Sequence, residues 1–395
     1  MTSSIKTSFV DGVFVEAQGD SNLLENRNPS RPAEIVDRFA RADAALTAKA
    51  IDAAKAASRE WRRSNPQVRA AILDRIGSEI LARREELAEL LSREEGKIVR
   101  EALGEVDRAG HSFKFYAQEA LRANGEKYDS VREGVGIDVF TQPVGVIGVI
   151  SPWNFPIAIP AWKIAPALAF GNTVVFKPAE LVPSSAWALA EIIARSGLPA
   201  GVFNMLIGPG RVVGDAILRS PQIDAITFTG SESTGRQVAR IAAERLIRVQ
   251  LEMGGKNPLV VLDDADLDIA VEVALNGSFY STGQRCTASS RVIVTEGIHD
   301  ASWSGLPNAR AHFAWAMRSV RKPILGQSSI PLSSSRILPM SNPGWRRERS
   351  GSAAASIWKT TRVRTAFRPH CSPAYSRICA FTAKRSSDLC SPCSR

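Results

Sequence analysis

The chain has 395 residues, with 50 Lys and Arg against 40 Asp and Glu and a formal net charge of +10, a length that carries two or three domains with sizeable cores. The charge is uneven: from His299 onward 13 Arg and 3 Lys face only Asp300, Glu348 and Asp388, so residues 1–298 are slightly acidic and their composition gives no reason to assign them nucleic acid as a partner. Cys286 is the only cysteine before the basic tail, which excludes an internal disulfide framework and points to a reducing, cytoplasmic setting.

In chain order, Met1–Phe14 has no apolar core between a basic region and a cleavage site, so a secretory leader is not expected. Ala44–Ser58, Val68–Gly96 and Glu101–Ala123 carry apolar residues at helical spacing, predicting that the first third is mostly surface helices. Val131–Gln142 alternates polar and apolar residues and reads as a strand or hairpin. From Val144 short β-rich runs alternate with helices: Gly145–Ser151, Thr173–Lys177, Ala186–Arg195, Val202–Leu206, Ala225–Thr229, Gly235–Ala243, Arg248–Glu252 and Pro258–Leu262. That alternation predicts an α/β fold, a parallel sheet covered by helices on both faces. The most apolar stretches, Val144–Ile150 and Ile157–Phe170, are short or broken by Pro160, Lys163 and Pro166, so no membrane span is expected.

Beyond about Ala301 the chain changes in kind, rich in Arg, Ser and Pro with scattered tryptophans. One reading is a basic, disordered arm that binds nucleic acid. The reading preferred here is translation out of frame. Displacing the frame by one base lets Lys322–Leu332 encode P-E-A-D-L-G-P-V-V-D-S and Ala380–Cys390 encode R-I-H-R-E-E-I-F-G-P-V. Cys390 and Cys393 form one C-x-x-C with no second ligand pair, and no metal is expected.

Four strings carry chemistry: Pro152-Trp153-Asn154-Phe155-Pro156, Phe228-Thr229-Gly230-Ser231, Glu252-Met253-Gly254-Gly255-Lys256-Asn257-Pro258 and Gly283-Gln284-Arg285-Cys286-Thr287. An exposed thiol can attack an electrophilic carbon, a side-chain amide can stabilise the oxyanion formed, and a carboxylate can activate water. Taken singly, each has a plainer alternative: an inert buried cysteine, a turn asparagine, a solvated glutamate. Gly230-Ser231 after a run of β-formers would open a helix whose N–H groups can hold a pyrophosphate.

In this order and spacing the strings resemble the aldehyde dehydrogenase family, over about Asp11–Asp300. The resemblance implies a Rossmann-type parallel sheet for the dinucleotide (1–125 and 143–252), an oligomerisation hairpin (126–142) and the start of an incomplete α/β catalytic domain (253–300), with 301–395 an aberrant tail expected to be disordered. It further implies Cys286 as nucleophile, Asn154 with the Cys286 N–H as oxyanion donors, and Glu252 as base. Met253 departs from the family's usual leucine, a swap that conserves volume. For the cofactor it implies Ser151, Trp153, Lys177, Glu180, Gly230 and Ser231, with Lys177 and Glu180 at the adenine ribose. A carboxylate there accepts from a 2′-hydroxyl and repels a 2′-phosphate, so NAD is expected, with NADP tolerated.

Within the family, Ile157–Pro166, Lys177–Pro183 and Gly283–Ser290 look like dehydrogenases of 2-oxoglutarate semialdehyde (2,5-dioxopentanoate), a small carboxylate-bearing aldehyde. Arg285 is then either a partner of that carboxylate or a supporting ion-pair residue. Family members are usually homo-oligomers, an assembly in doubt here. Arg385 and Ser387 occupy the places of a glutamate and a phenylalanine that the family sets at the nicotinamide. The chain as written is therefore expected to be unstable or inactive with Asn154, Glu252 and Cys286 intact. The alternative is a non-catalytic protein whose basic tail binds nucleic acid.

Overall fold

The computed structural model describes residues 5–16, 23–122 and 125–298, and the expectations for the tail lie outside the described residues. The N-terminal part runs β1 (Phe9–Val10), β2 (Val13–Phe14), β3 (Leu23–Arg27), β4 (Ile35–Ala40), α1 (Ala44–Trp61), α2 (Pro66–Ala82), α3 (Arg84–Glu95) and α4 (Val99–Glu119). A hairpin of β5 (Gly125–Asp129) and β6 (Gly136–Phe140) follows. Next come β7 (Val146–Ile150), α5 (Ala158–Ala169), β8 (Thr173–Lys177), α6 (Pro183–Arg195), β9 (Phe203–Met205), α7 (Asp215–Arg219), β10 (Ala225–Gly230), α8 (Glu232–Glu244) and β11 (Arg248–Met253). The last elements are β12 (Asn257–Val261), α9 (Leu267–Phe279) and β13 (Ser289–Val294).

One seven-stranded sheet has the order β11-β10-β7-β8-β9-β1-β2. Its first five strands are parallel and β1 joins antiparallel to β9, so the sheet is mixed. The middle of the five parallel strands is β7, whose Val146, Ile147 and Val149 are buried as an apolar run, the signature of a parallel strand covered on both faces. One face packs Leu73, Ile76, Phe113, Ile164 and Leu168 from α2, α4 and α5. The other packs Ile51, Ile217 and Ile241 from α1, α7 and α8. Helix starts follow the side chains present: Asp43, Asn65, Ser231 and Asp266 cap α1, α2, α8 and α9 with their own oxygens.

Three details add to the sequence reading. The helical spacing over Val68–Gly96 is carried by two helices, α2 and α3, separated at Arg83 (φ −98°, ψ 22°). No Gly or Pro marks that break; Arg83 leaves the helix while its side chain reaches Glu86 and Glu191. The N-terminal third also contains β1–β4, too short or too polar to show period two. The hairpin reaches back to Gly125 because β5 is exposed along its length and has no apolar alternation to read.

After β7 the chain builds outward through β8 and β9, then returns to the other side of β7 with β10 and β11. The order therefore reverses between β7 and β10, and the crevice at the carboxyl ends of such a pair is where open α/β sheets take ligands. Beyond β11, β12 and β13 pair in parallel across α9 as a separate two-stranded sheet. Among the described residues its buried cluster is Val261, Val292 and Val294, with Leu259, Ala265, Ala270 and Ile298 packed against it.

Candidate active site

The strand ends set the cofactor side of the crevice. Ser151 follows β7, is buried, and its hydroxyl has no partner among the described residues. Lys177 ends β8; burial lowers its ammonium, Glu180 opposes that, and Nζ donates to the Pro178 carbonyl at 2.9 Å. Glu180 accepts from Arg41 Nε at 3.4 Å, an ion pair that sequence reasoning did not find because Arg41 lies 139 positions upstream. Gly230 ends β10, where a Cβ would stand 2.5 Å from the Phe228 ring. Ser231 caps α8, so first-turn N–H groups open toward the crevice. The orphan serine, the open helix end and the Lys177–Glu180 pair at adjacent strand ends fit a dinucleotide.

The reactive side is built from two loops. Pro152–Ile157 leaves β7 and carries Trp153 and Asn154; Tyr280–Ala288 joins α9 to β13 and carries Cys286. Asn154 Nδ2 donates to the Gln284 carbonyl at 2.6 Å, two residues before the exposed thiol of Cys286. That amide nitrogen carries two N–H groups, of which the Gln284 carbonyl takes one. Gly283 has φ +70°, and a Cβ there would meet the Ser278 carbonyl at 2.6 Å, so glycine is required for the turn. Glu252 is exposed near the end of β11 and accepts from Gln250 Nε2 at 2.8 Å. No hydrogen bond joins Glu252 to Cys286 among the described residues. Asn257, five residues beyond Glu252, links the segments by donating to the carbonyls of Cys286 and Ala288. Glu252 also lines an open cavity of about 590 Å³ with Arg236, Leu251 and Met253.

Arg285 is spoken for: Nη2 donates to the Asn276 and Gly277 carbonyls at 2.9 and 3.0 Å, and the guanidinium lies 5.0 Å from the Tyr280 ring. It ties the end of α9 to the Tyr280–Ala288 loop through backbone carbonyls rather than through an ion pair among the described residues.

Sequence reasoning missed Lys163. It is buried on α5 and donates to Thr227 Oγ1 at 2.6 Å and Gln250 Oε1 at 2.9 Å, so Gln250 bridges it to Glu252. Burial pushes its ammonium down to about 8, against the pull of Glu252. A lysine depressed on folding opposes folding wherever it is charged, and that penalty is relieved as pH rises from 8 toward the unfolded value near 10.5. Relative to a Lys163→Met variant, wild-type stability should therefore rise by about 3 kcal/mol between pH 7 and pH 11. Urea melts of both proteins across that range check this, and parallel curves would contradict it.

The sequence matches the aldehyde dehydrogenase family over residues 14–314. It is 42% identical over 296 residues to the alpha-ketoglutaric semialdehyde dehydrogenase of Bacillus subtilis, covering 74% of this chain and 60% of that protein. It is 41% identical over 293 residues to the alpha-ketoglutarate semialdehyde dehydrogenase of Haloferax volcanii, covering 74% and 61%. The chain thus spans about three fifths of the length of these relatives. Among solved structures, betaine aldehyde dehydrogenase from Staphylococcus aureus in complex with NAD+ superposes with a TM-score of 0.78 at 30% identity, covering 84% of this chain and 66% of that one. A 3,6-anhydro-L-galactose dehydrogenase in complex with NADP gives 0.78 at 28% identity, covering 84% and 70%. In sequence and in fold the chain belongs to the aldehyde dehydrogenase family.

Proposed function

We propose that this site oxidises an aldehyde to a carboxylic acid with NAD(P) as electron acceptor and, because the loops carrying Asn154 and Cys286 meet within the described residues, that it does so in this chain despite the expectation of an inactive one. Cys286 Sγ bonds to the aldehyde carbon, and the Asn154 amide with the Cys286 N–H stabilises the oxygen anion. Bound dinucleotide would supply the acceptor for the hydride that leaves that carbon. Glu252 takes a proton from the water that cleaves the resulting thioester, releasing the acid and restoring the thiol. The observation that carries the reading is the Asn154–Gln284 hydrogen bond, which sets the donor amide beside the nucleophile loop at the strand-order reversal.

The substrate is proposed to be 2,5-dioxopentanoate, supported by the similarity to dehydrogenases of that semialdehyde. The test is protection of Cys286 from iodoacetamide, read on its own peptide by mass spectrometry in the full chain. 2,5-Dioxopentanoate should protect at lower concentration than succinic semialdehyde or an uncharged aldehyde. Equal protection by all three sinks the substrate assignment, and protection by none sinks the reading.

For the cofactor, NAD is preferred because Glu180 repels a 2′-phosphate, while Arg41 on the same carboxylate moderates that repulsion and admits NADP. Glu180→Gln should lower the ratio of the NADP to the NAD dissociation constant about tenfold, equivalent to ~1.4 kcal/mol. An unchanged ratio by calorimetry would remove Glu180 from the ribose site.

A further inference from the structure

Helix α4 presents Glu101 and Glu105 four residues apart on one face, both buried, with buried Lys97 just before the helix. Glu105 Oε1 accepts from the backbone N–H of Ile157 at 3.0 Å and of Ala158 at 3.2 Å. Its Oε2 pairs with Lys97 Nζ at 2.6 Å; that ammonium also donates to the Asn154 carbonyl at 2.8 Å and sits 3.9 Å over the Phe155 ring. Two side chains thus hold the 154–158 loop at three backbone groups and one ring. Glu101 Oε1 accepts from the Ser281 N–H at 2.9 Å, at the start of the nucleophile loop. Ser281 has φ 52°, a left-handed conformation that a serine keeps only where its surroundings determine it.

Burying an ammonium and two carboxylates is costly, and well-packed apolar side chains commonly do as well or better for stability. Burial raises the Glu101 carboxyl. Lys97 is lowered by burial but raised further by Glu105, Glu95 and Glu101, and stays charged. What an apolar replacement could not supply is acceptors on α4, and a donor just before it, aimed at both loops. We propose that Glu101, Glu105 and Lys97 are positioning residues that set the spacing between the loop carrying Asn154 and the loop carrying Cys286. The proposal rests on the reading that these loops carry the oxyanion donor and the nucleophile.

The test is the concentration of 2,5-dioxopentanoate that half-protects Cys286 from iodoacetamide in the full chain. Asn154→Ala should raise it at least tenfold, as should Glu101→Leu and Glu105→Leu. Glu101→Gln, which keeps an acceptor for Ser281, should restore it to within about threefold of wild type. Combining Glu101→Leu with Asn154→Ala should add little to Asn154→Ala alone, because both act through one contact. A wild-type value in both leucine variants, or multiplicative losses in the double variant, overturns the proposal. If circular dichroism shows the leucine variants unfolded, Glu105→Gln decides: it deprives Lys97 of its counter-ion and should raise the value several-fold, and a wild-type value overturns the proposal. An Asn154→Ala variant that protects like wild type instead defeats the functional reading itself.

Discussion

Cys286→Ala is expected to abolish acid formation in a single turnover with the full chain in excess over aldehyde, a loss of at least about 10⁴-fold, since Cys286 is the only thiol among the described residues. Glu252→Gln should fail differently. The thiol remains, so the aldehyde is captured and oxidised, but water is no longer activated and the acyl group stays on Cys286. Mass spectrometry of the quenched Cys286 peptide separates the two variants: unmodified protein for the first, an acyl adduct for the second. Asn154→Ala should fall between them, about 10² to 10³-fold slower in forming the adduct, the usual loss for one oxyanion donor. If Glu252→Gln turned over like wild type, the base would have to be sought elsewhere along the Gln250–Lys163 chain.

The largest expected effect on stability is at Gly110. Helices α2 and α4 cross with their backbones nearly touching: a Cβ on Gly77 would stand 2.8 Å from the Gly110 carbonyl, and one on Gly110 would stand 2.6 Å from Leu81 Cγ. Leu73, Ile76 and Phe113 flank that crossing and are fully buried, so no space exists into which the helices could move. Gly110→Ala should cost about 1–3 kcal/mol, and Gly110→Leu more than about 3 kcal/mol in urea denaturation, with α4 displaced. Because α4 carries Glu101 and Glu105, Gly110→Ala should also weaken aldehyde protection of Cys286. A Gly110→Leu protein as stable as wild type would mean that the crossing is looser than described.

By contrast, the described core of the β12–α9–β13 unit is small, a cluster of Val261, Val292 and Val294 with Ala274 and Leu275 of α9 also buried, and two-stranded sheets are marginal alone. Its backbone amides should exchange with solvent faster than those of β7.

Much of this was legible in the sequence because the signals were local. The β-rich runs from Val146 to Met253 have their period and boundaries written in contiguous residues, and Thr173–Lys177 falls where it was expected. The candidate site residues sit in short strings whose neighbours, such as Gly230 and Gly283, are dictated by backbone geometry, which is why the strings could be picked out. What escaped reading depends on pairing across distance. Arg41 meets Glu180 and Glu101 meets the Ser281 N–H only after the sheet has assembled. Buried charge was illegible for the same reason: Glu101 and Glu105 lie in a helix whose other face is solvated, with Lys97 in the turn just before it, and helical spacing alone makes them look like surface residues. The bonds from Arg285 to the Asn276 and Gly277 carbonyls were likewise invisible, because only the fold brings the end of α9 to its guanidinium.

The most direct test of the central claim is peptide mass spectrometry of the full chain incubated with NAD+ and 2,5-dioxopentanoate, quenched in acid within one turnover. The account predicts an acyl adduct on the Cys286 peptide that requires NAD+ and accumulates in Glu252→Gln. No adduct on Cys286 in either protein, or one formed equally without dinucleotide, would contradict it.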